Sequence, residues 1–244
     1  MLARIFLILS VWSVSSETCF PQGCIIYKKE KDGIFIGADT RMVSYTINES
    51  TRRTESSYSS ICKIDQVDSI NFAVTGYAAD VGVSEARNVL QEKKEFTEAI
   101  ELYVKVFGQK LADILETDRL TKSDLYKQKF LPGTIVGGSL FFHYDKGILN
   151  GRVIRIVLVS EPSQKATIQT RQEVLDSIGV AGDLVGARRV LFNKDVWKRG
   201  APKGINNIIG IEKIANPTDV EGAVDILFVS TKNERKWVQR KKCQ

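Results

Sequence analysis

Two short apolar runs open the patterned part of the chain, Cys24-Ile25-Ile26-Tyr27 and Gly33-Ile34-Phe35-Ile36-Gly37-Ala38, with the polar segment 28–32 between them. Asp32-Gly33 is a turn signal, so the pair predicts a hairpin. Both runs are nearly continuous and do not alternate, which predicts strands covered on both faces. Residues 44–60 are polar and without period and are read as a loop; 61–64 and 70–75 predict a second hairpin turning at Asp68-Ser69. Then the period changes. Over 78–90 and 97–115 apolar residues fall at helical spacing, as in Ile100, Val104, Phe107, Leu111 and Ile114, and predict two long helices. Strands are predicted at 134–144, 152–159, 166–170 and 174–180, helices at 183–192 and 205–214, and strands at 223–230 and 235–238. No linker and no internal repeat divides this order. Two sheets, each needing cover, with helices available in two batches, predict an α+β fold, a four-layer αββα sandwich.

The first residues stand apart. Met1-Leu2-Ala3-Arg4 is a short positive region, 5–12 is an apolar core too short to span a bilayer, and Val14-Ser15-Ser16 supplies small residues. Residues 1–16 read as a secretory signal peptide, 17–23 as a short propeptide, and 24–244 as a single domain. The expected location is secreted or periplasmic. No later stretch is long and apolar enough to predict a membrane span, so no membrane partner is expected after signal removal.

Composition narrows the chemistry. Among 244 residues, 35 Lys and Arg face 29 Asp and Glu, a net charge of +6 spread along the chain rather than gathered into a nucleic-acid footprint. The single histidine, His143, disfavours mechanisms that need two, and histidine-rich metal sites with them. Between Phe142 and Tyr144 it reads as a core or edge-strand residue. No metal and no cofactor is expected. Cys19, Cys24, Cys62 and Cys243 permit two disulfides in three pairings. Asn48-Glu49-Ser50 is a glycosylation sequon.

The informative stretch is Gly23-Cys24-Ile25-Ile26, then Asp32-Gly33 and Ala38-Asp39-Thr40-Arg41, then Cys62-Lys63-Ile64, then Thr75-Gly76-Tyr77-Ala78-Ala79-Asp80, with Gly222-Ala223-Val224-Asp225-Ile226-Leu227 further on. In this order and spacing it resembles proteasome β-type subunits of the N-terminal-nucleophile (Ntn) hydrolases. The resemblance covers most of 23–230 and implies the Ntn αββα sandwich and an amide-bond hydrolase, protease or amidase. In that chemistry the first residue of the processed chain attacks a carbonyl while its own α-amine takes the proton, so no histidine is required. It implies cleavage after Gly23, Cys24 as nucleophile, Lys63 as the cation lowering the nucleophile's pKa, Asp39 orienting Lys63, and the Gly76 N–H as oxyanion donor. Weaker supporting positions are Ala181, which has no hydroxyl where the family has a serine, together with Asp219 and Glu221. Cys24 to Asp39 is one residue shorter than the family spacing, and Thr18 is an alternative nucleophile. The substrate implied is a peptide or small amide, and a homo-oligomer is compatible.

The bland readings stand beside these. Lys63 on a strand can snorkel to the surface, Asp39-Thr40-Arg41 can be a turn with a local ion pair, and Cys62 is a small hydrophobe. The second functional reading is therefore a catalytically inactive member that keeps the scaffold as a binding or structural module.

Overall fold

The computed structural model describes residues 23–48, 53–93, 95–182, 184–217, 220–241 and 243. Residues 1–22, which take in the segment read as a signal peptide and all but Gly23 of the segment read as a propeptide, with Thr18 and Cys19, lie outside the described residues, as does Asp219.

β1 (Cys24–Glu30) and β2 (Gly33–Asp39) form the first hairpin, in a register that sets Ile25 opposite Ala38 and Tyr27 opposite Ile36. β10 (Ile178–Gly182), β11 (Val224–Ser230) and β12 (Arg235–Gln239) complete a five-stranded sheet of order β10-β1-β2-β11-β12. β5 (Ile64–Val67), β6 (Ile70–Gly76), β7 (Ile135–Asp145), β8 (Ile148–Leu158) and β9 (Ile168–Val174) make a second sheet in sequence order. β3 (Arg41–Asn48) and β4 (Arg53–Ser60) pair only with each other. The helices are α1 (Ala79–Glu92), α2 (Phe96–Thr121), α3 (Ser123–Lys129), α4 (Lys194–Trp197) and α5 (Ala201–Ala215).

Three apolar clusters hold these elements. One sets Phe72, Val74, Phe141 and Ile154 against Val83, Tyr103, Phe107 and Leu111 of α1 and α2. A second sets Ile25, Tyr27, Ile36 and Leu227 of the first sheet against Ala73, Leu140 and Phe142 of the second. A third packs Cys24, Ile26 and Ile226 on Ile205, Ile208 and Ile209 of α5. Side chains alternate between the last two clusters along β1, as the pleat requires.

The predicted four-layer αββα sandwich is corrected. The described residues form three antiparallel sheets with twelve strands against five helices, a more β-rich molecule. One source of the difference is 44–60, read as a loop. It supplies most of the β3–β4 ribbon, whose register runs from Arg41 opposite Ser60 to Asn48 opposite Arg53. Residues 57–60 are exposed, and polar strands held by their backbone ladder leave no hydrophobic period to read.

The other source is 183–192, read as a helix. The backbone N–H groups of Val185, Gly186 and Ala187 each donate at 3.0 Å to the buried Glu212 carboxylate of α5. Beyond them the chain makes short turns, Val190 N to Ala187 O and Asn193 N to Val190 O, and Trp197 Nε1 ties Leu191 O at 2.8 Å. A partner far along the chain decides this segment, which window periodicity does not register. Polar residues 171–173 extend β9 to Val174, where the sequence predicts a break.

Cys62 and Cys243 form a disulfide across 181 positions. Asp225 accepts from Cys243 N at 3.2 Å and also from Lys241 N, so the tail is held at two levels. Cys243→Ser is expected to lower stability by roughly 4–5 kcal/mol in the chain-entropy view, a fall in melting temperature on the order of 10 °C. Calorimetry with and without reductant checks this; an unchanged melting point in both would show that the bridge constrains nothing.

Candidate functional site

The site is built where the two five-stranded sheets meet at one end. Asp39 is the last residue of β2 and Lys63 immediately precedes β5, so the sheet hairpins themselves bring the two together. Lys63 Nζ lies 3.0 Å from Asp39 Oδ1 and 2.9 Å from Oδ2, with side-chain exposures of 1 % and 0 %. The carboxylate is used further. Oδ1 accepts from Cys24 N at 2.7 Å, and Oδ2 from Arg41 N at 3.3 Å. Two buried charges survive only when paired and saturated with hydrogen bonds, and this pair is.

Gly23 lies over the pair at φ +92°. A Cβ built there would overlap Lys63 Nζ and stand 2.7 Å from Thr75 Oγ1 and 3.1 Å from Asp39 Oδ1. Its direction is the direction of Ile25, toward the space between the sheets. Cys24 faces the other way. It packs among Ile26, Leu184 and Ile205, and the charges that bear on its thiol include Glu212 and Lys213 of α5. The structure thus joins Asp39, Lys63 and the backbone of Cys24, while the Cys24 side chain occupies the opposite face of β1. Because side chains alternate along the strand, the Cys24 sulfur falls on the helix side while Gly23 stands over the cation.

Cys24 is fully buried and free. Burial pushes its thiol well above the ordinary value; the Asp39 charge adds to this, and Lys63 offsets only part. Such a thiol stays protonated at neutral pH and is a poor nucleophile. With the Gly23–Cys24 peptide bond intact, the nitrogen at Asp39 is an amide and offers no base.

Gly76 ends β6 at φ +108°, opposite Gly137 and directly after Thr75. Gly182 closes the same corner, where a Cβ would lie 3.1 Å from Gly23 O and 2.8 Å from Thr75 Cγ2. Ala181 is buried opposite Ile25 and presents a methyl group. Glu221 is ion-paired with Arg41 and largely exposed; Arg41 also donates to Pro217 O at 2.6 Å and covers the Tyr58 ring at 3.8 Å. His143 sits on β7 six positions beyond Gly137, about 20 Å along the strand from the Gly76 corner, with its ring 4.8 Å from Phe96. It has no part in this site. Sequence reasoning missed Thr75 and the occupancy of the corner by Gly23; strict alternation counted back from Ile25 was the signal for the second.

No protein-family model matches the chain, and no curated protein matches it.

Lys63→Ala would leave Asp39 buried without its cation, and is expected to cost about 3–5 kcal/mol in denaturant unfolding. A loss below about 1 kcal/mol would show that water reaches the carboxylate. Gly23→Ala combines a left-handed φ with an overlap on Lys63, and is expected to cost roughly 1–3 kcal/mol by the same measurement.

Proposed function

We propose that the protein is an exported, non-catalytic binding or structural module that keeps the lysine–aspartate pair of an N-terminal-nucleophile hydrolase without a nucleophile beside it. The observation that carries this reading is the glycine over Lys63, with the nearest thiol turned to the opposite face of β1. Lys63 and Asp39 are then a structural pair that joins the sheets. Export is supported by the positive and apolar N-terminal pattern, and the Cys62–Cys243 disulfide is compatible with it. Among the described residues no helix is long and apolar enough to cross a membrane.

The hydrolase reading makes a different prediction for the mature protein. It requires a chain that begins at Cys24, with a reactive thiol and an α-amine on Asp39. Intact-mass analysis of the exported protein, with alkylation near neutral pH, separates the two. The expected result is a chain that starts upstream of Cys24, whose thiol is labelled only after unfolding. Cleavage after Gly23, with rapid native labelling at Cys24 and amide hydrolysis lost in Cys24→Ala, would overturn the proposal.

A further inference from the structure

β12 is the edge of its sheet; among the described residues it has β11 on one side and no strand on the other. Its sequence, Arg235-Lys236-Trp237-Val238-Gln239, continues into Arg240 and Lys241. Strict alternation would put Arg235, Trp237 and Gln239 on one face and Arg240 on the other. The pairing breaks that alternation. Trp237 lies opposite Leu227 and Gln239 opposite Ile226, so Val238 is an extra residue and the chain after it changes face. Gln239 Oε1 accordingly accepts from Asn206 Nδ2 of α5 at 3.2 Å, and Arg240 returns to the side of Trp237. The guanidinium carbons of Arg235 and Arg240 lie 5.8 Å and 5.6 Å from the Trp237 ring centroid.

Two guanidiniums on one indole repel each other unless an anion stands between them. Among the described residues, no carboxylate is ion-paired with Arg235, Lys236, Arg240 or Lys241. Arg235 Nε is buried with no hydrogen-bond partner, and Arg240 Nε donates to Cys243 O. Burial pushes the Arg235 guanidinium below its ordinary value; Asp65 of β5 opposes this, and the like charge of Arg240 adds to it. Asp65 itself is held by Arg87. A lysine and a bulge on an edge strand are ordinary protection against self-pairing, which accounts for Lys236 and the extra residue. Protection does not require a half-buried arginine with an unsatisfied donor, brought beside a second one.

We propose that β12 is a docking edge for an extended acidic segment of a partner protein, which adds as a strand and places its carboxylates on Arg235 and Arg240. Backbone pairing along the edge supplies affinity, and the planar guanidiniums supply specificity for carboxylates. The same charges reject a second copy of this edge, so attraction and repulsion point to one class of partner. The proposal uses no residue of the Lys63 corner, and a reactive Cys24 would leave it unaffected.

The test uses the full mature chain and a fluorescein-labelled, acetylated peptide of alternating Glu and Val, followed by fluorescence anisotropy at low salt. Saturable binding is expected, with hydrogen-exchange protection at 235–239. Arg235→Gln and Arg240→Gln should each weaken it by roughly tenfold. Arg235→Lys, which keeps the charge and loses the planar fork, should fall between wild type and Arg235→Gln. A backbone N-methylated peptide of the same sequence should not bind, because it cannot pair with the edge. Equal binding of the methylated peptide, displacement by dextran sulfate without protection at 235–239, or no saturable binding would each overturn the proposal.

Discussion

The buried contact between Lys63 and Asp39 is the constraint on which the rest of this corner depends. Asp39 closes β2 in one sheet, and Lys63 leads into β5 in the other. Their contact, with both charges dry, fixes how the two sheets meet. The carboxylate also anchors the first residue of β1 through Cys24 N and the turn into β3 through Arg41 N. One side chain therefore sets the ends of three strands. Burying two charges costs several kcal/mol before they attract, so the pair is a source of specific geometry more than of net stability.

Chemistry at this corner is decided by strand parity. Cys24 and Gly23 are neighbours, yet they face different worlds: the sulfur lies among aliphatic side chains beside α5, and the glycine faces the ammonium. A single position along a strand exchanges the two faces, so a one-residue change in spacing moves a side chain to the far side of the sheet. Burial then does the rest, keeping the thiol protonated where Lys63 acts too weakly to counter it.

The remaining architecture is set by long-range tethers. Glu212 gathers three backbone N–H groups from 185–187, the disulfide brings Cys243 to Cys62 just before β5, and Asp225 holds the backbone of Lys241 and Cys243. Each is a polar or covalent contact between segments at least sixteen positions apart in the chain. The bulge in β12 belongs with them, since it re-aims Arg240 by inserting one residue into an otherwise regular ladder.

By itself the amino-acid order determined the first hairpin, the turn of the second and the two long helices, because apolar runs, turn dipeptides and helical periods are local signals; the strand expected at 61–64 lies instead at Ile64–Val67, and Asp39 and Lys63 are implied only by the resemblance. The hairpin turn at Asp68, with φ +51°, and α2 over Phe96–Thr121 answer to such signals directly. Tertiary structure alone decided that 44–48 and 53–60 are paired strands and not a loop, that 184–192 turns around a carboxylate and does not coil, and that Cys62 bonds Cys243 out of three pairings. It alone decided which face of β1 carries the sulfur. These outcomes rest on backbone ladders between polar residues, on buried anions reached from distant positions and on one-residue register, none of which leaves a mark in the hydrophobic pattern of a short window.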